Sequence, residues 1–181
     1  MEIQQTILKD CFIVKPRVFA DDRGSFSETF NQRQFEKVTG ISPDFVQDNQ
    51  SVSAYGVLRG LHLQTGEMAQ AKLVRVVKGR VLDVAVDLRK DAPSFGKHVV
   101  VELSESNGHQ LFIPRGFAHG FVVLEDDTVF AYKCDNFYHK ESEGGIIYND
   151  ATLSIDWHLP KEDLIISEKD LTLPNFEEAI S

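Results

Sequence analysis

Apolar and polar residues alternate with a period of two through the middle of the chain, and this pattern limits the fold more than any other feature. Residues 72–77 and 80–88 each alternate, and Lys78 and Gly79 between them form a turn from which the chain returns. Such alternation is typical of strands with one buried face. Further strands are predicted at residues 98–103, 110–113, 120–124 and, after a tight turn at 126–127, 128–134. Short strands at this spacing predict a closed or two-sheet β structure.

Helical signals are few and short. Asn31 can cap a helix over residues 32–38 that ends at Gly40, and the tail over residues 160–181 has room for one or two helical turns. Residues 22–25 and 114–116 are predicted to be loops or turns. A length of 181 residues suits one domain, spanning residues 1–181, with a sizeable core. The predicted fold is all-β, a β-sandwich or jelly roll with short peripheral helices.

Composition and charge narrow the classes of partner and location. Apolar residues make up 42% and charged residues 26% of the chain, which is typical of a globular protein. The net charge of −9, without a lysine-rich tract, argues against nucleic acid as a partner. Cys11 and Cys134, the two cysteines, lie in apolar stretches, which predicts buried thiols in a reducing compartment. Since no secretory signal and no apolar run near the ~20 residues of a membrane span is visible, we expect a cytoplasmic protein that does not bind membranes.

His62 is the first candidate for chemistry. It lies in the segment Gly-Val-Leu-Arg-Gly-Leu-His-Leu-Gln over residues 56–64. Strand alternation predicts that His62 shares a face with Gly60 and Gln64, while Arg59 lies on the other face with the two leucines that flank the histidine. The face of His62 then has no bulky apolar neighbour. A single histidine is more often structural than catalytic, so the segment alone assigns no role.

A second histidine completes a spacing found in the cupin superfamily of jelly-roll barrels. Gly108, Pro114, Gly116 and His119 have the spacing of the second cupin motif, although Val123 replaces its usual asparagine. Taken alone, His119 is as consistent with a hydrogen-bonded turn histidine as with a functional one.

The metal-binding positions of cupins are altered in this chain. Many cupins bind a metal through two histidines two residues apart, a glutamate and a later histidine. Here Gln64 stands where the second histidine is expected, and Lys72 stands where the glutamate is expected. An ammonium group repels a divalent cation, and a catalytic metal site commonly needs about three protein ligands. The resemblance therefore implies a cupin fold without a metal, which leaves His62 and His119 for proton chemistry or anion contact.

Tyr132 and two arginines add further candidates. A tyrosine in mid-strand without a partner usually serves packing. Arg23 lies in a turn between two phenylalanines, and Arg59 precedes His62 by three residues. Guanidinium groups bind phosphate oxygens in a bidentate way, and neighbouring aromatic rings can stack on a base.

Several separate polar positions recur together in one known family. They are Asp22-Arg23-Gly24 with Glu28, residues 45–49 (FVQDN), 57–62 (VLRGLH), 71–75 (AKLVR), Phe95-Gly96, 113–121 (IPRGFAHGF), Tyr132, Ser142-Glu143-Gly144 and Lys169-Asp170. On these residues the chain resembles the dTDP-4-dehydrorhamnose 3,5-epimerases, metal-free cupins of dTDP-rhamnose and cell-surface polysaccharide biosynthesis. The resemblance covers almost the whole chain. Leu63 departs from it, because the family commonly has an aromatic residue there.

The resemblance implies an isomerase without a cofactor that acts on dTDP-4-dehydro-6-deoxy-glucose. The ketone of this nucleotide sugar acidifies the hydrogens on both neighbouring ring carbons, 3 and 5. By this resemblance His62 is the base, Asp170 orients it, Lys72 offsets the charge of the enolate oxygen, and Tyr132 is the acid on the far face. A neutral imidazole with a pKa near ~6.5 suits a base at neutral pH.

The resemblance also implies a homodimer in which a strand and its residues can cross to the partner's site. It further implies that Arg23, Arg59 and His119 contact the diphosphate. The nucleoside pocket is implied to be lined by Glu28, Gln47, Asp48 and Asn49, with Tyr138 and either Phe19 or Phe26 stacked on thymine. Glu143 and Lys169 are implied as further substrate contacts.

Three other functions stay open on the residues alone. One is a sugar-nucleotide epimerase that acts at a single carbon, or a ketoisomerase on the same scaffold. Another is a non-catalytic sugar- or nucleotide-binding cupin, which would need neither an acid nor a base. The third is a metal-dependent dioxygenase or isomerase. Tyr132 favours an epimerase, because only an epimerase needs an acid across the ring.

Overall fold

Short strands account for most of the ordered structure in the computed structural model, which describes residues 1–181. The helices are α1 (Gln32–Thr39), α2 (Glu168–Leu171) and α3 (Phe176–Ala179), and 3-10 turns lie at Gly66–Met68, Lys140–Ser142 and Lys161–Asp163. The strands in chain order are β1 (Glu2–Gln5), β2 (Phe12–Lys15), β3 (Val18–Asp21), β4 (Gly24–Ser27), β5 (Gln47–Ser53), β6 (Val57–Gln64), β7 (Lys72–Lys78), β8 (Arg80–Asp87), β9 (His98–Ser104), β10 (Gln110–Ile113), β11 (Phe117–Val123), β12 (Thr128–Cys134), β13 (Glu143–Gly145) and β14 (Ile165–Ile166).

The strands form two facing sheets and one separate hairpin. The first sheet has the order β1-β2-β10-β7-β12-β5, and the second has the order β13-β6-β11-β8-β9, with β14 added parallel to β6. Strands β3 and β4 pair only with each other. All pairs within the two sheets other than β14–β6 are antiparallel. This arrangement confirms the predicted all-β jelly roll with short peripheral helices.

The main core lies between the two sheets. Val74 and Val76 of β7 project inward from the first sheet, and Val81 and Ala85 of β8 project inward from the second. Each is nearly or fully buried, and burying a side chain of valine size is worth roughly 1.5–3 kcal/mol. The core fills one part of the barrel, and the polar inward residues described below line the remainder.

Two smaller apolar clusters cover the outer faces of the sheets. Phe35 of α1 is fully buried and packs on Phe112 of the first sheet, with ring centroids 4.9 Å apart. The second sheet is covered by the segment that follows β13, in which the indole Nε1 of Trp157 donates to the carbonyl of Tyr148 at 2.9 Å. Both sheets are therefore supported from outside, which fixes the strands that carry the inward polar residues.

The helix predicted from its caps is confirmed and is one residue longer than expected. The Asn31 side chain accepts a hydrogen bond from the Gln34 amide at 3.1 Å. Gly40 ends the helix with a φ of 74°, and its N–H donates to the Glu36 carbonyl. The predicted helical turns of the tail are also confirmed as α2 and α3.

The predicted return of the chain after Lys78 and Gly79 is wrong in its pairing. Strands β7 and β8 lie in different sheets, so the chain crosses from one sheet to the other at Gly79. Gly79 has a φ of 83°, and a side chain there would collide with Thr128. Alternation shows that each strand has one inward face. The same alternation occurs when two strands pair as a hairpin in one sheet and when they lie in the two facing sheets of a jelly roll. The pattern therefore could not decide which strands pair.

Strand β11 begins three residues before its predicted start, so His119 lies inside a strand and not in a turn. All seven residues of Phe117–Val123 are buried. A strand that is buried on both faces has no alternation from which its start can be read.

Cys11 and Cys134 are buried and unpaired, as predicted, and burial raises the pKa of the Cys11 thiol to about 12. None of the helices has the length and apolar character needed to cross a membrane.

Candidate active site

A cavity of about 590 Å³ lies between the two sheets beside the apolar core, and Phe121 belongs to both. One wall is formed by β6 and β11, the other by β5, β7 and β12, and the segment 165–170 covers one side. The four predicted catalytic residues meet here, and they are His62, Lys72, Tyr132 and Asp170. Three of the predicted substrate contacts, Arg59, His119 and Lys169, line the same cavity.

His62 is paired with a buried carboxylate. Its Nε2 lies 2.7 Å from Oδ1 of Asp170, and the Gly60 amide donates to Oδ2 of the same carboxylate at 3.2 Å. The Asp170 side chain is 5% exposed, whereas that of His62 is 31% exposed. With Nε2 engaged, Nδ1 has no partner in the protein. A carboxylate that holds one ring nitrogen fixes the tautomer and leaves the other nitrogen free to accept a proton.

Asp170 reaches His62 because the tail of the chain is attached to β6. Strand β14 pairs in parallel with β6, with Ile165 opposite Val57. The Ser167 side chain then accepts a hydrogen bond from the Asp170 amide and caps the short helix α2. The tail thus places a carboxylate 108 residues away in sequence against the histidine.

A bulge in β6 places Arg59 on the same cavity wall as His62, so the predicted separation of these two side chains is wrong. The register between β6 and β11 shifts between the pairs His119–His62 and Phe121–Arg59. The shift lies at Gly60, where a Cβ would be 2.5 Å from the Cα of Gly120. Simple alternation assumes a regular strand, and a bulge reverses the faces on one side of it. The Arg59 guanidinium donates to the Ser53 hydroxyl at 3.3 Å and lines the cavity.

Lys72 projects into the cavity from β7 without an ion pair or a hydrogen bond. Withdrawal of its ammonium group from water lowers the pKa of Lys72 below its ordinary value. Its Nζ lies 6.0 Å from the centroid of the Tyr132 ring. A cationic group of this kind is suited to meet an oxygen on which negative charge develops.

The cupin metal positions do not fit a divalent cation. Lys72 supplies a cation where a carboxylate would bind, and the Gln64 oxygen is occupied by the amide of His139 at 2.8 Å. The chain brings together no group of three His, Cys, Asp or Glu side chains in positions to hold a metal ion. The donor set of this site therefore suits proton chemistry better than metal chemistry.

Tyr132 occupies the wall opposite His62. It lies on β12 of the first sheet, whereas His62 lies on β6 of the second. Burial raises the pKa of the Tyr132 phenol, which keeps it protonated at neutral pH. Its ring packs near Phe130 with centroids 6.1 Å apart, and its hydroxyl has no hydrogen-bond partner in the protein. The cavity thus has a basic nitrogen on one side and a proton donor on the other.

His119 forms a second carboxylate–imidazole pair that the sequence did not predict. Its Nε2 lies 2.9 Å from Oδ2 of Asp83, and both side chains are buried, at 7% and 0% exposed. Burial lowers the pKa of His119, and the Asp83 charge offsets part of this effect. Alternation along β8 could have identified Asp83, because it places this charged residue on the inward face between Val81 and Ala85.

A smaller cavity of about 170 Å³ opens beside the first and is more polar. The Glu143 carboxylate accepts from the Tyr138 hydroxyl at 3.0 Å and pairs with Lys169 at 2.7 Å. Partial burial raises the pKa of Glu143, but the hydrogen bonds from Lys169 and Tyr138 outweigh it and leave this pKa lowered. Gln47 donates to Asn49 at 3.0 Å on the same side. These five predicted contacts lie close to His62, Lys72 and Tyr132.

Five predicted contacts lie away from both cavities. Strand alternation turns Asp48 to the outer face of β5, where it pairs with Lys133 at 2.9 Å. Glu28 is exposed and accepts a long hydrogen bond from Gln34. The other three, Arg23, Phe19 and Phe26, lie on the hairpin β3–β4.

The hairpin β3–β4 is exposed along almost its whole length. Phe19 and Phe26 are cross-strand neighbours and are 51% and 69% exposed. The Arg23 side chain is 89% exposed and contacts only Asp21 of its own turn. Within one chain, these three residues do not reach the cavity.

Comparison with known proteins identifies similar chains over the full length. A family model described as dTDP-4-dehydrorhamnose 3,5-epimerase matches residues 5–178. A relative of that name from Escherichia coli (strain K12) is 53% identical over 180 residues, which cover 99% of this chain and 97% of the relative.

Two crystal structures are closely similar to this fold. The dTDP-4-dehydrorhamnose 3,5-epimerase from Elizabethkingia anophelis NUHP1 has 57% identity and a TM-score of 0.97, covering 100% of this chain and 99% of its own. The dTDP-6-deoxy-D-glucose-3,5-epimerase from Legionella pneumophila Philadelphia 1, in complex with dTDP-4-keto-L-rhamnose, has 46% identity and a TM-score of 0.93. That alignment covers 97% of this chain and 93% of the Legionella chain.

Proposed function

Because the chain belongs to the family of dTDP-4-dehydrorhamnose 3,5-epimerases, we propose that His62 and Tyr132 are the base and the acid of that reaction in this protein. The protein is an isomerase of dTDP-rhamnose biosynthesis. It converts dTDP-4-dehydro-6-deoxy-glucose to dTDP-4-dehydro-rhamnose by epimerisation at carbons 3 and 5. The observation that carries the residue assignment is the placement of His62 and Tyr132 on opposite walls of one cavity.

Proton abstraction is assigned to Nδ1 of His62. The 4-keto group acidifies the hydrogens on carbons 3 and 5, because the carbanion formed by their removal is delocalised onto the ketone oxygen. As a C–H bond breaks, its electron pair forms the enolate and the proton moves to Nδ1. The imidazolium that results is stabilised by the Asp170 carboxylate 2.7 Å from Nε2.

The enolate oxygen is assigned to Lys72. The negative charge that develops on the former ketone oxygen needs a fixed positive charge or hydrogen-bond donors. The Lys72 ammonium has three donors, none of which is used within the protein. It supplies by charge what the metal ion supplies in other cupins.

Inversion requires a proton from the far side of the ring, and this step is assigned to Tyr132. A proton returned by His62 would restore the original configuration, because it arrives from the face that it left. The phenol of Tyr132 faces the other side of the cavity and is protonated at neutral pH. Its proton moves to the carbon as the enolate collapses to the ketone. The phenolate then takes a proton from solvent, and the His62 imidazolium releases its proton to solvent.

The substrate contacts follow from the positions of the remaining polar side chains. Arg59 and His119 line the larger cavity and are proposed to contact the diphosphate. The smaller cavity is proposed to hold polar parts of the nucleoside, with the exposed Tyr138 ring stacked on thymine. Its proposed contacts are Gln47, Asn49, Glu143 and Lys169. Asp48 is left out of the proposed site, because Lys133 holds it on the outer face.

We also propose a cytoplasmic homodimer in which the hairpin β3–β4 completes the partner's site. Arg23 is proposed to contact the partner's diphosphate, Phe19 or Phe26 the partner's base, and the neighbouring Glu28 the partner's nucleoside. The support is that the hairpin exposes two aromatic side chains and an arginine that contact nothing in their own cavity. The buried free thiols Cys11 and Cys134 support a reducing compartment.

A mixed dimer tests both the reaction and the shared site. Chains carrying His62→Ala and chains carrying Arg23→Ala are co-expressed with different tags, and the mixed dimer is purified on both tags. If Arg23 serves the partner, one site of the mixed dimer carries both changes and the other carries neither. Turnover of dTDP-4-dehydro-6-deoxy-glucose should then be about half that of the wild-type dimer, whereas each uniform variant is nearly inactive.

Different failures of this experiment have different meanings. A mixed dimer as inactive as its two parents would place Arg23 in its own chain's site. A monomer on gel filtration would overturn the homodimer. Failure of the wild-type protein to convert the keto sugar would overturn the reaction itself.

A further inference from the structure

Asp83 is a buried carboxylate with one oxygen that lacks a partner. It is 0% exposed on β8, and only Oδ2 is engaged, by Nε2 of His119 at 2.9 Å. Oδ1 is buried and has no hydrogen-bond partner in the protein. Leaving a buried carboxylate oxygen unsatisfied is costly, so its position needs an explanation beyond the support of His119.

Lys72 is a cation that likewise lacks a partner in the protein. Its ammonium group is withdrawn from water but has neither an ion pair nor a hydrogen bond. A cation in such a place tends to lose its proton unless negative charge lies near it. The titratable groups around it come from five strands and from helix α2. They are Arg59 and His62 of β6, Asp83 of β8, His119 of β11, Tyr132 and Cys134 of β12, Glu143 of β13, and Lys169 and Asp170 of α2.

Among these groups three are carboxylates, and two of them are committed to other partners. Asp170 contacts His62 at 2.7 Å and accepts from the Gly60 amide, and its charge is not among those that act on Lys72. Glu143 pairs with Lys169 at 2.7 Å and accepts from Tyr138. Cys134 and Tyr132 are neutral at pH 7, since burial raises the pKa of both. Asp83 is therefore the carboxylate whose charge remains available to Lys72, and it favours the protonated form of the lysine.

We propose that Asp83, held in place by His119, is the counter-charge that keeps Lys72 protonated in the active site. This inference rests on the proposed role of Lys72 in stabilising the enolate. Asp83 acts through Lys72 without touching the substrate, so it is a positioning residue. The second carboxylate–imidazole pair thus serves the electrostatics of the reaction, while the first pair, His62–Asp170, moves the proton.

The direction of the pH effect follows from the charges. The negative charge of Asp83 raises the pKa of Lys72, and its removal lets that pKa fall further. The ammonium is then lost at a lower pH, and the alkaline limb of the kcat–pH profile moves toward neutrality. The acidic limb is expected to change less, because the pair His62–Asp170 is unchanged in this variant.

The test replaces Asp83 by asparagine, which keeps the shape and removes the charge. We expect the alkaline limb of the kcat profile to move down by about one pH unit, with a smaller change at low pH. The matched control is Asp127→Asn, since Asp127 is an exposed residue of the β11–β12 turn and its left-handed φ of 53° suits asparagine. Asp83→Ser is a second variant that removes the charge and leaves room for water should the asparagine fail to fold.

A direct titration of Lys72 separates this inference from the proposed reaction. Lysine side chains are labelled with ¹⁵N, and the Lys72 signal is assigned by its loss in Lys72→Arg. A Lys72 pKa that is the same in the wild type and in both Asp83 variants overturns the inference. A lowered Lys72 pKa with an unmoved kcat profile supports the counter-charge but overturns the role of Lys72 in the reaction. A lowered pKa together with a shifted alkaline limb supports both.

Discussion

Replacing His62 by alanine should lower kcat for dTDP-4-dehydro-6-deoxy-glucose by about 10³-fold, because no other group on that wall of the cavity can replace it as a base. His119 lies on the same wall, but burial lowers its pKa and makes it a weaker base, and Lys72 is an ammonium without a lone pair. Exchange of the hydrogens on carbons 3 and 5 with solvent should be lost together with turnover. Both rates are measured by NMR in deuterated water.

Two variants bracket this effect. Asp170→Ala keeps the imidazole but removes the charge that stabilises its protonated form, so we expect a smaller loss of about 10²-fold. His98→Ala on β9 removes a histidine that makes no side-chain hydrogen bond and lies outside both cavities, and it should leave turnover near that of the wild type. If His62→Ala retained near-wild-type turnover, the assignment of the base would be wrong, and a non-catalytic role for this pair would gain support.

Replacing Tyr132 by phenylalanine should separate exchange from inversion. The hydroxyl has no partner in the protein, so its removal should leave the packing on Phe130 unchanged. His62 can still remove a proton and return a deuteron from the same face. We therefore expect inverted product to form about 10³-fold more slowly while deuterium continues to enter the unreacted substrate.

A surface tyrosine provides the matched control for this separation. Tyr55→Phe removes a hydroxyl that contacts Asp163 outside both cavities, and it should change neither exchange nor inversion. Two results for Tyr132→Phe would contradict the assignment. Undiminished inversion would mean that another group protonates the far face. Equal loss of exchange and inversion would mean that the phenol contributes to proton abstraction or to the shape of the site.

The fold could be predicted where the strands have one buried face. Strands β7, β10 and β12 alternate clearly or are bounded by clear turns, and their predicted limits agree with the structure to within a residue. Strand β11 is buried on both faces, so its start was missed. The hairpin β3–β4 has no buried face at all in one chain, and its residues therefore gave only a turn signal.

The site could be predicted only in part from local patterns. Gln64 and Lys72 were visible as departures from a metal-binding spacing, which indicated that His62 was free for other chemistry. The pairing of Asp170 with His62 could be predicted only from the family resemblance, because the two residues are 108 positions apart and a strand of the tail brings them together. Arg59 was placed on the wrong face, since a bulge at Gly60 cannot be read from alternation.

The position of Asp83 in the sequence indicates a functional residue, although no motif includes it. Asp83 interrupts the apolar run over residues 81–86 at an inward position, where a charge is costly unless it is paired or functional. Its partner, His119, lies on a neighbouring strand with a separation of 36 residues, so the pair becomes apparent only when β8 and β11 are aligned.

The central claim is that one base and one acid, on opposite walls of the cavity, invert both carbons next to the ketone. The most direct measurement is the position of deuterium in the product formed by the wild-type protein in deuterated water. Deuterium is expected at both carbon 3 and carbon 5 of dTDP-4-dehydro-rhamnose, with both centres inverted. Deuterium at only one of the two carbons would contradict this claim.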